Sequence, residues 1–189
     1  MINIRKAVQK DINRITQIYE HILDEESAGR LTTGWIRGVY PNAKIAADAV
    51  ARGDMYVYED SGVILASAII NHQQVDVYSQ GSFIHEAPDD EIMVIHTLTV
   101  EPEASGKGIG RAFVEFYENL AIEKGCSVLR FDTNEKNTGA RALYGRLGYR
   151  EAGIVPCVFN GIPDVMLVLF EKPLKPCRRD CDGDLNTVS

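Results

Sequence analysis

The segment that most constrains this chain runs Val100-Glu101-Pro102-Glu103-Ala104-Ser105-Gly106-Lys107-Gly108-Ile109-Gly110-Arg111. Before it, Ile92 to Val100 is apolar on both alternating sets of positions, the pattern of a strand buried on both faces at the centre of a sheet. After it, Ile109, Ala112, Phe113, Phe116, Tyr117 and Leu120 recur at helical spacing. They predict a helix over Gly108 to Lys124 that Gly125 ends. A central strand must therefore pass through alternate glycines straight into a long amphipathic helix that packs back on the sheet. Glycines at 106, 108 and 110 permit positive φ and close backbone approach. The free N–H groups and positive dipole end of the helix favour an anion there, and Lys107 and Arg111 add charge. A phosphate or pyrophosphate is the natural ligand; a tight turn that binds nothing is the alternative. GxxxxGK[ST] is absent, and GxGxxG counted from Gly106 puts Arg111 where the third glycine belongs.

The remaining pattern fills in around this unit. Ile2 and Ile4 alternate with polar residues as a first strand, and Asp11 is placed to cap a helix carrying Ile12, Ile15, Ile18, Tyr19, Ile22 and Leu23 on one face. Ser27 to Tyr40 reads as a loop with a broken helix. Pro41 and Asn42 open a second helix that Gly53 ends. Met55–Tyr58 and Val63–Ile70 form a hairpin. Asn71 to Asp90 is ambiguous, with a strand start at Val75 to Tyr78. Ser127–Phe131 is a strand, Asn137–Leu147 a helix, and Tyr149–Phe159 and Asp164–Phe170 are strands around Asn160-Gly161. The order β-α-α-β-β-β-α-β-α-β-β gives an α/β fold with a mixed sheet.

Length and composition narrow the class. The 189 residues suit one domain, taken as residues 1–172, with a polar tail over 173–189 that is expected to be partly disordered. Hydrophobic residues at 45% and charged residues at 25% exclude a disordered chain and a rod. With 27 acidic against 20 basic residues the net charge is -7, which argues against a coat for nucleic acid. No apolar run reaches the roughly 18 residues that a membrane helix needs, so no membrane partner is expected. The amino terminus turns polar at once, and the expected compartment is the cytoplasm. Cys126, Cys157, Cys177 and Cys181 form no CxxC pair, so free thiols and no metal are expected.

Two segments carry a resemblance. Leu98-Thr99-Val100-Glu101-Pro102 through Gly106-Lys107-Gly108-Ile109-Gly110-Arg111 resembles the acetyl-CoA motif of the GNAT superfamily of N-acetyltransferases, written [RQ]-x-x-G-x-[GA]. Ser105 stands at the Arg or Gln position, a departure; Gly108 and Gly110 fill the two glycine places. Phe131 to Tyr149 resembles the second cofactor motif, with Leu143, Tyr144, Gly148 and Tyr149 in the L-Y-x-x-x-G-F phrase and Tyr for the final Phe. The resemblance implies a mostly antiparallel mixed sheet whose fourth and fifth strands splay apart around a pantetheine arm. It implies acetyl-CoA as co-substrate, held by Leu98, Thr99, Val100, Ser105, Gly106, Lys107, Gly108, Gly110, Arg111, Asn137 and Tyr144.

The same resemblance implies Tyr144 as the acid for the leaving thiolate; a core aromatic on the helix stripe is the other reading. His96 is the candidate base, because an imidazole with a pKa near ~6.5 accepts a proton at neutral pH, and it is expected to share a face with Val94 and Leu98. A core histidine is the alternative. Glu91, acting through water, is the reserve. Thr33, Trp35 and Tyr40 are candidate lining residues of an acceptor pocket formed with Asn71 to Asp90. The expected activity is direct acetyl transfer to a primary amine of a small molecule. The alternatives are a protein amine, a catalytically silent acyl-CoA sensor, or an interaction module with an empty turn. A homodimer is compatible with the chain.

Overall fold

The computed structural model of the protein describes residues 2–174. The expectations for Cys177, Cys181 and the tail from residue 175 onward lie outside the described residues. In chain order the elements are β1 (Ile2–Lys6), α1 (Ile12–Ser27), α2 (Ala43–Arg52), β2 (Met55–Asp60), β3 (Val63–Asn71), β4 (Ile92–Val100), α3 (Ile109–Glu123), β5 (Val128–Asn134), α4 (Thr138–Arg146), β6 (Arg150–Phe159) and β7 (Ile162–Pro173). The order matches the sequence pattern. Pro173, assigned above to the tail, is the last residue of β7 and pairs with Val128.

One seven-stranded sheet runs β1-β2-β3-β4-β5-β7-β6. Every neighbouring pair is antiparallel except β4 and β5. That parallel pair follows from α3, because a strand that leaves through a helix returns alongside in the same sense. One face carries α3 and α4 over a core that includes Met93, Ile95, Phe113, Tyr117, Leu129, Phe131 and Phe170. Burying side chains of this size contributes about 1.5–3 kcal/mol each. The opposite face is covered by α1 and α2 over β2 and β3. Farther along it, Tyr40 and Tyr78 pack with residues of β4, β5, β6 and β7.

Three local expectations change. Asp11 does not cap α1 with its side chain; its Oδ2 accepts from Val8 N at 2.9 Å and from Arg5 at 2.7 Å, which ties β1 to the helix start instead. Ser27 to Tyr40 holds turns and a single Ile36–Tyr40 bridge rather than a broken helix. Asp76–Gln80 is a 3₁₀ turn, not a strand. Apolar Val75, Val77 and Tyr78 suggested extended pairing, but tertiary packing uses them as a plug against the sheet.

Candidate active site

The site begins where β4 and β5 separate. They pair only at Ile92–Val128, Met93–Leu129 and Val94–Arg130. At this fork Tyr117 of α3, fully buried, reaches Met93 O at 2.5 Å and Arg130 O at 3.2 Å, one carbonyl on each strand. Beyond Val94, β4 has no strand partner on its β5 side among the described residues. The parting leaves a cleft of about 120 Å³ lined in part by Ile95, Thr97 and Leu98 from β4, by Phe131 to Asn134 from β5, and by Tyr144 from α4.

A bulge in β4 decides which side chains reach the cleft. The β3–β4 register steps from Ser67–Thr99 to Ile69–His96, so β4 holds one more residue than β3 between these pairs. Thr97 takes the strain with φ 51°, and Tyr40 Oη makes a short hydrogen bond with its hydroxyl. Met93 and Ile95 pack on the α3 face before the bulge, and Leu98 and Val100 do so after it. His96 therefore does not share a face with Leu98, as strict alternation had predicted. It lies in a neighbouring cavity with Ile45, Ile69, Asn71 and Asn160, where its Nε2 is 3.2 Å from Asn71 Oδ1. Burial lowers its pKa to about 4, which leaves a neutral and weakly basic ring.

The other sequence candidates separate into groups. Leu98, Asn137, Tyr144, Thr33, Trp35 and Tyr40 all line the cleft. Thr33 is set by Glu26, whose Oε2 accepts from its backbone N at 2.6 Å and its hydroxyl at 2.8 Å. Gly34 follows with φ 76°, and a Cβ there would meet Asn134 Nδ2 at 2.3 Å, so a larger residue would strain the backbone and push the Asn134 side chain at the end of β5 aside. The Asn71 to Asp90 segment, expected to complete the pocket, instead supplies Asn71, Gln73 and Val75 to the neighbouring cavity. Glu91 sits at the start of β4, accepts from Ser127 Oγ at 2.8 Å and is absent from the cleft lining. Thr99 is buried on Ser67 at 2.8 Å, a bond that fastens β3 to β4.

The glycine turn opens just past β4. Gly106 and Gly108 have φ 76° and 79°, and Gly108 is the N-cap of α3. Lys107 is exposed, whereas Arg111 pairs with Glu115 at 2.9 Å. Behind the turn, buried Glu101 is bound by Arg14 at 2.7 Å and His21 at 2.9 Å, which anchors the end of β4 to α1. Asn137 caps α4 by accepting from Ala140 N at 3.2 Å.

Sequence reasoning missed Asp132. It lies between Phe131 and Thr133 on β5 and is half-buried, with its open side in the cleft. Its Oδ2 accepts from Tyr78 Oη at 2.7 Å, and burial raises its pKa to about 6. Phe131 points the other way, with its ring 4.2 Å from that of Tyr144. Burial holds the Tyr144 phenol protonated well above its ordinary range, and the charge of Asp132 adds to the effect. The available signal was an acid on an apolar strand, which costs free energy unless it is used or paired. Phe159, Val165 and Leu167 were also missed, because they enter the cleft from β6 and β7 by tertiary packing alone.

A sheet opened between two parallel strands, with a glycine-capped helix N-terminus after the first of them, defines a class of acyl-group transferases. Residues 15–149 match the Acetyltransferase (GNAT) family, and the chain belongs to that family. An uncharacterized N-acetyltransferase of Methanocaldococcus jannaschii is 31% identical over 80 residues, 42% of this chain and 51% of the relative. The chain spans about half or less of the length of the curated relatives it matches. A GNAT family acetyltransferase structure from Streptococcus agalactiae superposes with TM-score 0.76 at 22% identity, covering 92% of this chain and 96% of that one. YncA of Salmonella typhimurium, a putative acetyltransferase solved with its cofactor acetyl-CoA, gives TM-score 0.66 at 20% identity, covering 94% and 96%.

Proposed function

We propose that the protein is an acetyl-CoA-dependent N-acetyltransferase that acetylates a primary amine of a small molecule by direct transfer. The observation that supports this most is the cleft itself. It joins the unpaired edge of β4 at Leu98 to the phenol of Tyr144, next to a helix N-terminus capped by a positive-φ glycine. The residues fit the co-substrate. The N–H groups of the 105–111 turn suit a pyrophosphate, the free β4 edge suits an amide-bearing arm, and Lys107 adds a cation.

Acetyl-CoA supplies the activated acetyl group. The chain supplies the rest. The Leu98 N–H is the candidate donor to the acyl carbonyl oxygen. Tyr144, neutral throughout the physiological range, is the candidate acid for the departing sulfur. No cysteine lines the cleft among the described residues, in keeping with direct attack rather than a covalent acetyl-enzyme. No described helix is long and apolar enough to cross a membrane, and a cytoplasmic setting goes with this reading.

The test is release of CoA with a panel of amines, run beside the shift in melting temperature on adding acetyl-CoA. Tyr144→Phe is expected to lose ~100-fold or more in kcat while keeping the acetyl-CoA shift, the scale of a lost general acid. Binding without turnover on any amine would point to a sensor, and no shift at all would sink the reading.

A further inference from the structure

Arg14 and His21 share one face of α1 and reach the same carboxylate. It belongs to Glu101, the residue after β4, and it is buried. Arg14 Nη2 donates to its Oε2 at 2.7 Å, and His21 Nδ1 lies 2.9 Å from Oε1 and 3.0 Å from Oε2. Arg14 Nε also donates to Ile64 O of β3 at 3.0 Å. The backbone of Glu101 starts the path into the glycine turn. Its N–H donates to Leu65 O and its carbonyl accepts from Ala104 N, both at 2.8 Å, and Ser105 N closes on Pro102 O at 3.0 Å. Gly106 and Gly108 follow directly, with positive φ.

The other end of α1 does the same for the cleft. Glu26, about 18 Å from Arg14 along the helix axis at ~1.5 Å per residue, sits in the last turn. Its Oε2 accepts from Thr33 N and Thr33 Oγ1, and its Oε1 accepts from Gly34 N at 2.9 Å. The Thr33 hydroxyl in turn accepts from Trp35 N at 3.2 Å. Thr33, Gly34 and Trp35 all line the cleft, and all hang on this one carboxylate. Their segment is irregular chain, so no strand or helix ladder satisfies these N–H groups. Arg30 and Arg37 also pair with acids of α1, Glu25 and Asp24, but those pairs are exposed and fasten side chains rather than backbone. Glu26 and Glu101 are themselves absent from the cleft lining.

Resting on the transferase reading above, we propose that Glu101 and Glu26 are positioning residues that mount the two substrate sites on opposite ends of α1. Glu101, gripped by Arg14 and His21, holds the turn that receives acetyl-CoA. Glu26 holds the loop wall that faces the acceptor. Each acts only through the backbone it fixes, with charge-assisted hydrogen bonds that a neutral side chain of the same shape would weaken. The two anchors are separable. Ile15, Ile18, Tyr19 and Ile22 bury α1 against β2 and β3, so cutting either anchor leaves the helix, and the other site, in place.

The experiment compares wild type, Glu101→Gln, Arg14→Met, Arg14→Lys and Glu26→Gln. Val57→Ala is the control, since Val57 is buried on β2 in the core beneath α1 and lines neither site. Calorimetry gives the Kd for acetyl-CoA. KM and kcat are measured with butylamine and phenylethylamine at saturating acetyl-CoA. Amide hydrogen exchange is followed in segments 33–36 and 102–110. Glu101→Gln and Arg14→Met are expected to raise the acetyl-CoA Kd about tenfold and to speed exchange in 102–110 only, with amine KM within twofold of wild type. Arg14→Lys should recover part of the affinity. Glu26→Gln should raise amine KM about tenfold with kcat within threefold, speed exchange in 33–36 only, and leave the acetyl-CoA Kd within twofold. Val57→Ala should lower the melting point without this division.

Both constants moving together in each anchor variant, as general loosening would produce, would overturn the proposal. So would Glu101→Gln or Glu26→Gln with unchanged exchange in its own segment. If Glu101→Gln does not fold, Arg14→Met and Arg14→Lys read the same anchor. Exchange is measured on the protein alone. A wild type that binds no acetyl-CoA would therefore remove the transferase reading, while the exchange pattern would still decide the anchors.

Discussion

Two titratable residues with opposite shifts face each other's consequences across β4 and β5. His96 is lowered to about 4 by burial, and Asp132 is raised to about 6 by the same cause. Between pH 4 and 6.5 the unfolded chain binds more protons at His96 than the folded chain, so this group's contribution to stability is lost as pH falls. Between pH 3.8 and 6 the folded chain binds more protons at Asp132, so its contribution falls as pH rises. In wild type the two slopes oppose one another. His96→Gln is therefore expected to leave a protein that gains stability on mild acidification, and Asp132→Asn one that loses it. Urea melts at pH 4.5, 5.5 and 7 check the pair, and parallel profiles for the two variants would refute the assignment. The sequence pointed to the imidazole because of its ordinary pKa, whereas burial in the fold lowers that ring to about 4 and raises the Asp132 carboxylate to about 6.

At the scale of elements, the glycine turn and the β4 bulge do most to shape the site. Gly108 has φ 79°, yet a Cβ there would meet nothing within 4 Å, so conformation alone demands glycine. Gly108→Ala is expected to cost ~1 kcal/mol, and Gly108→Asn less, since asparagine tolerates the left-handed region. Because strain at the N-cap would disturb the turn at the helix N-terminus, Gly108→Ala should also weaken acetyl-CoA binding by about tenfold, read by calorimetry. Both the turn and the helix after it were legible, because glycine spacing and a 3.6-residue apolar stripe are local signals. The bulge was not. Thr97 has no side chain that demands φ 51°, and its conformation is held by Tyr40, distant in sequence, and by the pairing of His96 and Thr99 on either side of it with β3. One inserted residue moved His96 to the other face from Leu98, and a pattern argument that counts by twos has no means of detecting it. Val75 to Tyr78 failed for a related reason, since a short apolar run serves a strand or a packed turn equally well.

At the scale of the molecule, the sheet consists of a β1–β4 half and a β5-β7-β6 half joined by three residue pairs. The hydroxyl of Tyr117 sits at that junction, in reach of one carbonyl on each side. Tyr117→Phe is expected to cost ~1–2 kcal/mol, because it removes a buried hydroxyl donor shared between the two strands. It should also loosen the fork, raising the dissociation constant for acetyl-CoA more than Phe113→Leu of similar stability cost. Denaturant melts and calorimetry on the two variants decide this, and equal affinities would count against a role for the fork in holding the cleft open.

The amino-acid sequence by itself determined the order of the elements, the mixed sheet, the glycine-capped helix and the place of Tyr144. All of these rest on periodicity and turn chemistry within about twenty residues of chain. A net charge of -7 is a whole-chain sum and says nothing of the local field at the glycine turn, where Lys107 is exposed. The tertiary structure alone decided which residues share the cleft. Trp35, Asp132, Tyr144, Phe159 and Leu167 come from a loop, a strand, a helix and a hairpin. Only packing brings them together, and only burial among them raises the pKa of Asp132.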